Sequence, residues 1–235
     1  MKYNKEYSKK EIINRLYAGA KAYKENLLNK NILFIFENKK EKKLESIETI
    51  FLASNFLHLT GIEYPKSANK FLNDCLENKI SKNNIYIKNK VFTKLKLEVL
   101  ENAMCINKCA KAIGDFNQNK VNIKIEKVIG NTRCCLGLSN LNSNKQKLKY
   151  YYPKTLLQDN LKNNVLNENK ILAILSKNKN QKLYNEITYL SNKVLLSNLV
   201  NNKEINKIVD YQNIFSSNIK YQEKIKEFKN KMSID

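Results

Sequence analysis

The only histidine of the chain, His58, lies in the stretch Asn55-Phe-Leu-His-Leu-Thr60-Gly61. Imidazole titrates near neutrality, so this side chain can take up or deliver a proton at physiological pH. Drawn as an extended segment, the stretch places Phe56, His58 and Thr60 on one face and Leu57 and Leu59 on the buried one. Gly61 then allows a sharp turn that leaves the imidazole and the Thr60 hydroxyl facing a substrate. Arg133 is one of two arginines, with Arg15, and a guanidinium suits bidentate contact with phosphate. Lys154 and Thr155 follow Pro153 and offer a phosphate clamp and a hydroxyl donor. Tyr150, Tyr151 and Tyr152 are the densest aromatic run, suited to stacking on bases or to proton transfer. Each has a plainer role: a core histidine, a surface ion pair for Arg133, a helix cap at Thr155, half-buried strand tyrosines.

Other chemistries find less support. Asp115 and Asp159 could hold magnesium for phosphodiester hydrolysis, but neither stands in a metal motif and both suit turns or caps. Cys75, Cys105, Cys109, Cys134 and Cys135 match no common zinc spacing and read as buried thiols, so neither a metal nor a cofactor is expected. With 5 glycines there is no phosphate-cradling loop and no Gly-x-Ser-x-Gly elbow.

The chain has 43 Lys+Arg against 22 Asp+Glu, a net charge of +21, which favours a polyanion: RNA, DNA or an acidic membrane. Lysine richness also follows from AT-rich codons, yet that does not account for so large an excess of one sign. The start is too charged for an apolar signal region, and no run of about 18 apolar residues exists, so no membrane and a reduced cytoplasm are expected.

The elements that would carry these residues can be read from periodicity. Ser8 and Glu11 form a capping-box pattern ahead of a helix to Asn29, with Ile12, Leu16, Ala20, Tyr23 and Leu27 on one face. Ile32–Phe36 and Leu44–Phe51 flank a charged turn and predict a hairpin. Ser67 caps a short amphipathic helix to Asn78, and Ile85–Ile87 is a brief strand or turn. A long helix over Val91–Ala112, with a break near Asn102, ends at Gly114-Asp115. Alternation over Val121–Val128, then Thr132–Leu138 and Leu148–Tyr152 separated by a polar loop, predicts an antiparallel meander. Lys154–Leu166 reads as irregular or weakly helical, and Ile171–Ser176 with Leu183–Thr188 as another strand pair. Beyond Asn202, Ile205, Ile208, Val209, Tyr221, Ile225 and Phe228 recur at helical spacing. The expected fold is α+β, with N-terminal helices packed on a mostly antiparallel β-sheet and a C-terminal helical tail. Its domains are residues 1–195 and an accessory tail over 196–235, the latter a possible route to a homodimer.

Three strings taken in order, Asn55–Gly61, Ile129-Gly-Asn-Thr-Arg-Cys-Cys-Leu-Gly-Leu138 and Tyr150-Tyr-Tyr-Pro-Lys-Thr-Leu-Leu157, resemble a phage- and mobile-element-associated branch of the Barnase/EndoU/colicin/RelE-like nuclease superfamily. The resemblance spans about Asn31 to Leu190. It implies helices packed on an antiparallel sheet and cleavage of RNA without a metal. Lys154 stands where a small polar residue is expected, and the tail beyond Asn202 has no counterpart.

Metal-free RNA cleavage needs a base for the 2′-OH proton, an acid for the leaving 5′-oxygen, and donors for the dianionic phosphorane. With one histidine present, His58 would act with Thr60, Arg133, Thr155 or a tyrosine, while Lys154 and Tyr150–Tyr152 hold the RNA. The expected function is a metal-independent endoribonuclease of a phage or mobile element, acting as a toxin or phage-borne effector against host RNA. The alternative is a non-catalytic basic protein that occupies RNA or a protein–RNA complex, inhibiting an RNA-guided defence. A basic DNA-binding protein lacks a helix-turn-helix or finger motif.

Overall fold

A computed structural model describes residues 6–119, 123–141, 146–192 and 199–217. The chain opens with α1 (Lys9–Asn26), then β1 (Lys30–Asn38) and β2 (Lys43–Ile50) as an antiparallel hairpin. α2 (Ala53–Thr60) leads into β3 (Ile62–Glu63), and α3 (Ala68–Leu76) into β4 (Tyr86–Ile87), its antiparallel partner. α4 (Lys90–Ala103) and α5 (Ile106–Cys109) precede β5 (Ala112–Asp115), β6 (Lys127–Gly130), β7 (Cys135–Leu141) and β8 (Lys147–Leu157). A 3-10 turn (Leu161–Asn163) is followed by β9 (Asn169–Asn178), β10 (Glu186–Leu190), α6 (Lys203–Asn206) and α7 (Tyr211–Ser217).

Local chemistry accounts for the first elements. Ser8 Oγ accepts from Glu11 N at 3.2 Å, and Ser8 N donates to the Glu11 carboxylate at 2.7 Å, so two of the donors that begin α1 are satisfied. The apolar stripe Ile12, Leu16, Ala20, Tyr23 and Leu27 is buried as its spacing requires. Ser67 Oγ caps α3 through Lys70 N at 3.2 Å. In β1, Ile32 through Phe36 are all buried because both faces of the strand are covered. Ile32, Phe34 and Phe36 meet the helices, while Leu33 and Ile35 meet a second cluster on the opposite face.

The fold is α+β, and its main sheet departs from the expected simple antiparallel layer. The strands run β1-β2-β8-β7-β6-β5-β9, and β1 also pairs with β9, so the sheet closes into a barrel with β10 attached along β9. Closure removes the edges an open sheet would present. Most pairs are antiparallel, but β2 meets β8 in parallel at Thr49 and Tyr151. α1 to α5 contribute to the larger core, joined by Ile113, Ile129, Leu136, Leu138 and Leu156 from the strands. On the other face Ile205, Val209 and Ile214 pack with Leu33, Leu175 and Ile187, so the described part of the tail lies against the strands.

Two other expectations change. The helix expected over Val91–Ala112 breaks after Ala103, beside the expected break near Asn102, and resumes as α5, but it does not run to Gly114: the chain enters β5, which contains Gly114 and Asp115. Gly114 serves close approach and not a helix stop: a Cβ there would lie 2.2 Å from the Asn167 carbonyl oxygen. The strand expected over Val121–Val128 begins only at Lys127, and Val121 lies outside the described residues, as do Tyr221, Ile225 and Phe228 of the tail. Among the described residues no helix is long and apolar enough to cross a membrane.

Candidate active site

The stretch Asn55–Gly61 is helical rather than extended. Asn55 Oδ1 accepts from Leu52 N at 2.8 Å at the start of α2, and Gly61, at φ 74°, ends it in the left-handed conformation. The buried set becomes Asn55, Phe56, Leu59 and Thr60, one face of a helix and not alternate residues of a strand. Phe56 anchors α2, with its ring centroid 5.3 Å from Tyr23 and 5.9 Å from Phe71. Thr60 is fully buried. Its hydroxyl donates to the Leu57 carbonyl at 2.8 Å and accepts from Ile62 N at 3.1 Å, so it shapes the helix end and does not face a substrate.

His58 points outward from the last turn of α2 and is exposed. Its pKa is lowered, first by burial of the ring, then by the charges of Lys154 and Lys96. The shift favours the neutral ring, the form that can accept a proton.

Lys96 comes from α4, and its ammonium donates to the His58 carbonyl at 3.3 Å. One turn earlier, Thr93 Oγ1 donates to the Gly61 carbonyl at 2.9 Å, so α4 holds the end of α2 at two points. Burial lowers the Lys96 pKa. Lys154 comes from β8 at a break in register. Gly137 pairs with Thr155 and Leu138 with Pro153, leaving Lys154 without an opposite residue. Such a bulge re-aims a side chain, and proline, which has no N–H, suits an interrupted ladder. The Lys154 ammonium lies 5.9 Å from the Tyr152 ring centroid, and the Tyr152 hydroxyl donates to the Leu141 carbonyl.

Lys96 and Lys154 thus both lie near His58, with the Tyr152 ring beside Lys154, while the remaining candidates lie apart. Thr155 is buried on the opposite face of β8, its methyl against Gly137 near Ile125. Tyr150 is half-buried with the Lys149 ammonium 5.0 Å from its ring. Tyr151 packs against the larger core, and burial raises its pKa. Arg133 is exposed on the β6–β7 turn, where Asn131 Oδ1 accepts from Arg133 N at 2.8 Å. Among the described residues no hydrogen bond, ion pair or ring contact joins its guanidinium to His58.

The acidic and thiol groups serve structure. Asp115 pairs with Lys127 at 2.6 Å, and the Asp159 carboxylate accepts from Asn160 N, Asn163 and Asn164 in the loop after β8. Burial raises the pKa of all five thiols, those of Cys75 and Cys135 to about 12, so they are protonated at neutral pH. No group of three or more His, Cys, Asp and Glu suited to a metal occurs among the described residues.

Sequence reasoning missed Lys96, one of many lysines, whose only signal was its place four residues after Phe92 on a helix face. It also missed a network in which Glu98 accepts from Gln158 at 2.8 Å and from the Tyr7 hydroxyl at 3.4 Å, with the Arg15 guanidinium 4.3 Å above the Tyr7 ring. Tyr7 and Glu98 line a cleft of about 490 Å³ between α1 and α4, which none of the sequence-derived candidates borders.

A family model described as phage-Barnase-EndoU-ColicinE5/D-RelE like nuclease matches residues 15–193, from within α1 to just beyond β10. No curated protein and no solved structure gave a match.

Proposed function

We propose, from the premise that this chain belongs to the phage-Barnase-EndoU-ColicinE5/D-RelE like nuclease family, that it cleaves RNA without a metal at the His58–Lys96–Lys154 cluster. The observation that carries this reading is the exposed imidazole of His58 at the end of α2, within reach of the charges of Lys96 and Lys154. His58 takes the 2′-OH proton, the 2′-oxygen bonds to phosphorus, and the bond to the 5′-oxygen breaks. Lys154, flanked by the Tyr152 ring, stabilises the charge that develops on the phosphorane oxygens. Lys96 delivers a proton to the leaving oxygen, a task its burial favours because a lowered pKa makes its ammonium the stronger acid. The products are a 2′,3′-cyclic phosphate and a 5′-hydroxyl, and solvent restores both proton carriers. The net charge of +21 draws the polyanion to the site.

The test is incubation of the purified chain with total RNA in EDTA beside His58→Ala and Lys96→Ala. The expected result is cleavage in EDTA that each variant reduces by about 100-fold or more, the usual worth of a positioned proton carrier. Salt-sensitive binding without cleavage would overturn the enzymatic reading in favour of a protein that only occupies RNA.

A further inference from the structure

Along β4 and the first turn of α4 the surface changes character. Tyr86 and Phe92 are 56% and 63% exposed, unusual for large aromatic side chains, and Lys88, Lys90 and Lys96 lie near them in sequence, while Lys94 turns to Glu98 and the Tyr7 ring. The fold sets this run against the candidate site. β3 follows α2 through Gly61, and Glu63 of β3 pairs with Tyr86 of β4. Phe92 precedes Lys96 by one turn on the same side of α4, and Lys96 reaches the His58 carbonyl. The Lys88 and Lys90 side chains are 84% and 69% exposed, and among the described residues they pair with Glu63 at 3.7 Å and Glu6 at 3.0 Å. Exposed pairs of this kind are readily exchanged for phosphate.

We infer that Tyr86 and Phe92, flanked by Lys88 and Lys90, form a stacking platform for unpaired bases of a single-stranded RNA that runs on to His58. Two exposed rings and the exposed Lys88 and Lys90 of the same segment supply what single strands require: flat surfaces for bases and ammonium groups for the backbone. A duplex keeps its bases stacked internally and cannot use the rings. An apolar protein partner would leave the exposed Lys88 and Lys90 unused. Stacking does not discriminate among bases, so the platform selects strandedness and not sequence. This inference rests on the RNA reading of the His58 cluster.

The test uses fluorescence anisotropy with a labelled 2′-O-methyl uridine oligomer, which cannot be cleaved by 2′-OH attack, and an RNA duplex of equal length. Tyr86→Ala and Phe92→Ala are each expected to weaken single-strand binding by at least about fivefold and to leave duplex binding within about twofold. Tyr86→Phe and Phe92→Tyr keep the ring and should bind as the wild type does. The doubly substituted Lys88→Ala/Lys90→Ala chain should lower the salt slope by about 1.4, two phosphate contacts on a single strand. Unchanged single-strand binding in the Tyr86→Ala/Phe92→Ala double variant would overturn the platform while leaving cleavage at His58 intact. Equal weakening on both strands overturns it too, as does loss of self-association, seen by sedimentation, without loss of RNA binding. A wild-type chain that neither binds nor cleaves RNA would overturn both readings.

Discussion

Replacing Phe56 and Leu57 separately by alanine distinguishes a helical from an extended Asn55–Gly61 segment, and the orientation of His58 depends on that difference. In α2 Phe56 is fully buried between Tyr23 and Phe71, whereas Leu57 is only partly buried. Phe56→Ala removes a buried ring and leaves a cavity, a loss of about 3–5 kcal/mol. Leu57→Ala removes a side chain already partly in water, so its cost falls to about 1–2 kcal/mol. For a chain of this size about 2–4 °C of Tm accompanies each kcal/mol, so the shifts are roughly 6–20 °C and 2–8 °C. Urea melts followed by circular dichroism, with equal slopes for both variants, provide the comparison. An extended segment reverses the order, because alternation would place Leu57 in the core and Phe56 outside. A Leu57→Ala loss equal to or larger than that of Phe56→Ala would refute the helical account.

Further outcomes follow from the same geometry. His58 acts while unprotonated and its pKa lies below the ordinary 6.5, so cleavage should fall as pH drops through that lowered value. Lys154→Met should move this limb of log kcat/KM upward but not past 6.5, because burial is the larger cause; an unmoved limb would detach Lys154 from the imidazole. Gly61→Ala forces a left-handed residue against Thr93 Oγ1, 3.0 Å from the new Cβ, and should cost about 1–2 kcal/mol in urea melts. A neutral effect would show that the α2–α4 junction relaxes. The Asp74 carboxylate accepts from Lys70 at 2.6 Å and Tyr64 at 2.7 Å, and these bonds hold its pKa below the carboxylate range. Its stabilisation is present above the ordinary carboxylate pKa and is lost as pH falls through the lowered one. Asp74→Asn should therefore be less stable at neutral pH and flatter in Tm across that acidic window; a parallel acid profile would contradict the assignment.

What could be read without coordinates was mostly local. Ser8, Glu11 and the apolar stripe of α1 act within a few residues of one another, as do Ser67 and α3, and the first hairpin joins neighbours in sequence. Barrel closure was hidden because it depends on β1 meeting β9 and on one parallel pair between Thr49 and Tyr151, distant partners that alternation does not name. The segment Asn55–Gly61 was misread because a short apolar run fits either period, and the capping Asn55 lies inside it. His58, Lys154 and Tyr152 were visible as residue types. The bulge that aims Lys154, and the choice of Lys96 among many lysines, come from tertiary packing. Thr60 was misplaced by treating its neighbourhood as an alternating strand exposed on one side, and Thr155 by reading Lys154–Leu166 as irregular or weakly helical, whereas Thr155 lies buried in β8.

The most direct test of the central claim is single-turnover cleavage of matched all-ribose and all-deoxyribose oligonucleotides in EDTA, with analysis of the new ends. The account predicts that the ribose strand alone is cut, leaving a 2′,3′-cyclic phosphate and a 5′-hydroxyl, and that His58→Ala abolishes the reaction. Cutting of the deoxyribose strand, or ribose cleavage undiminished in His58→Ala, would contradict it.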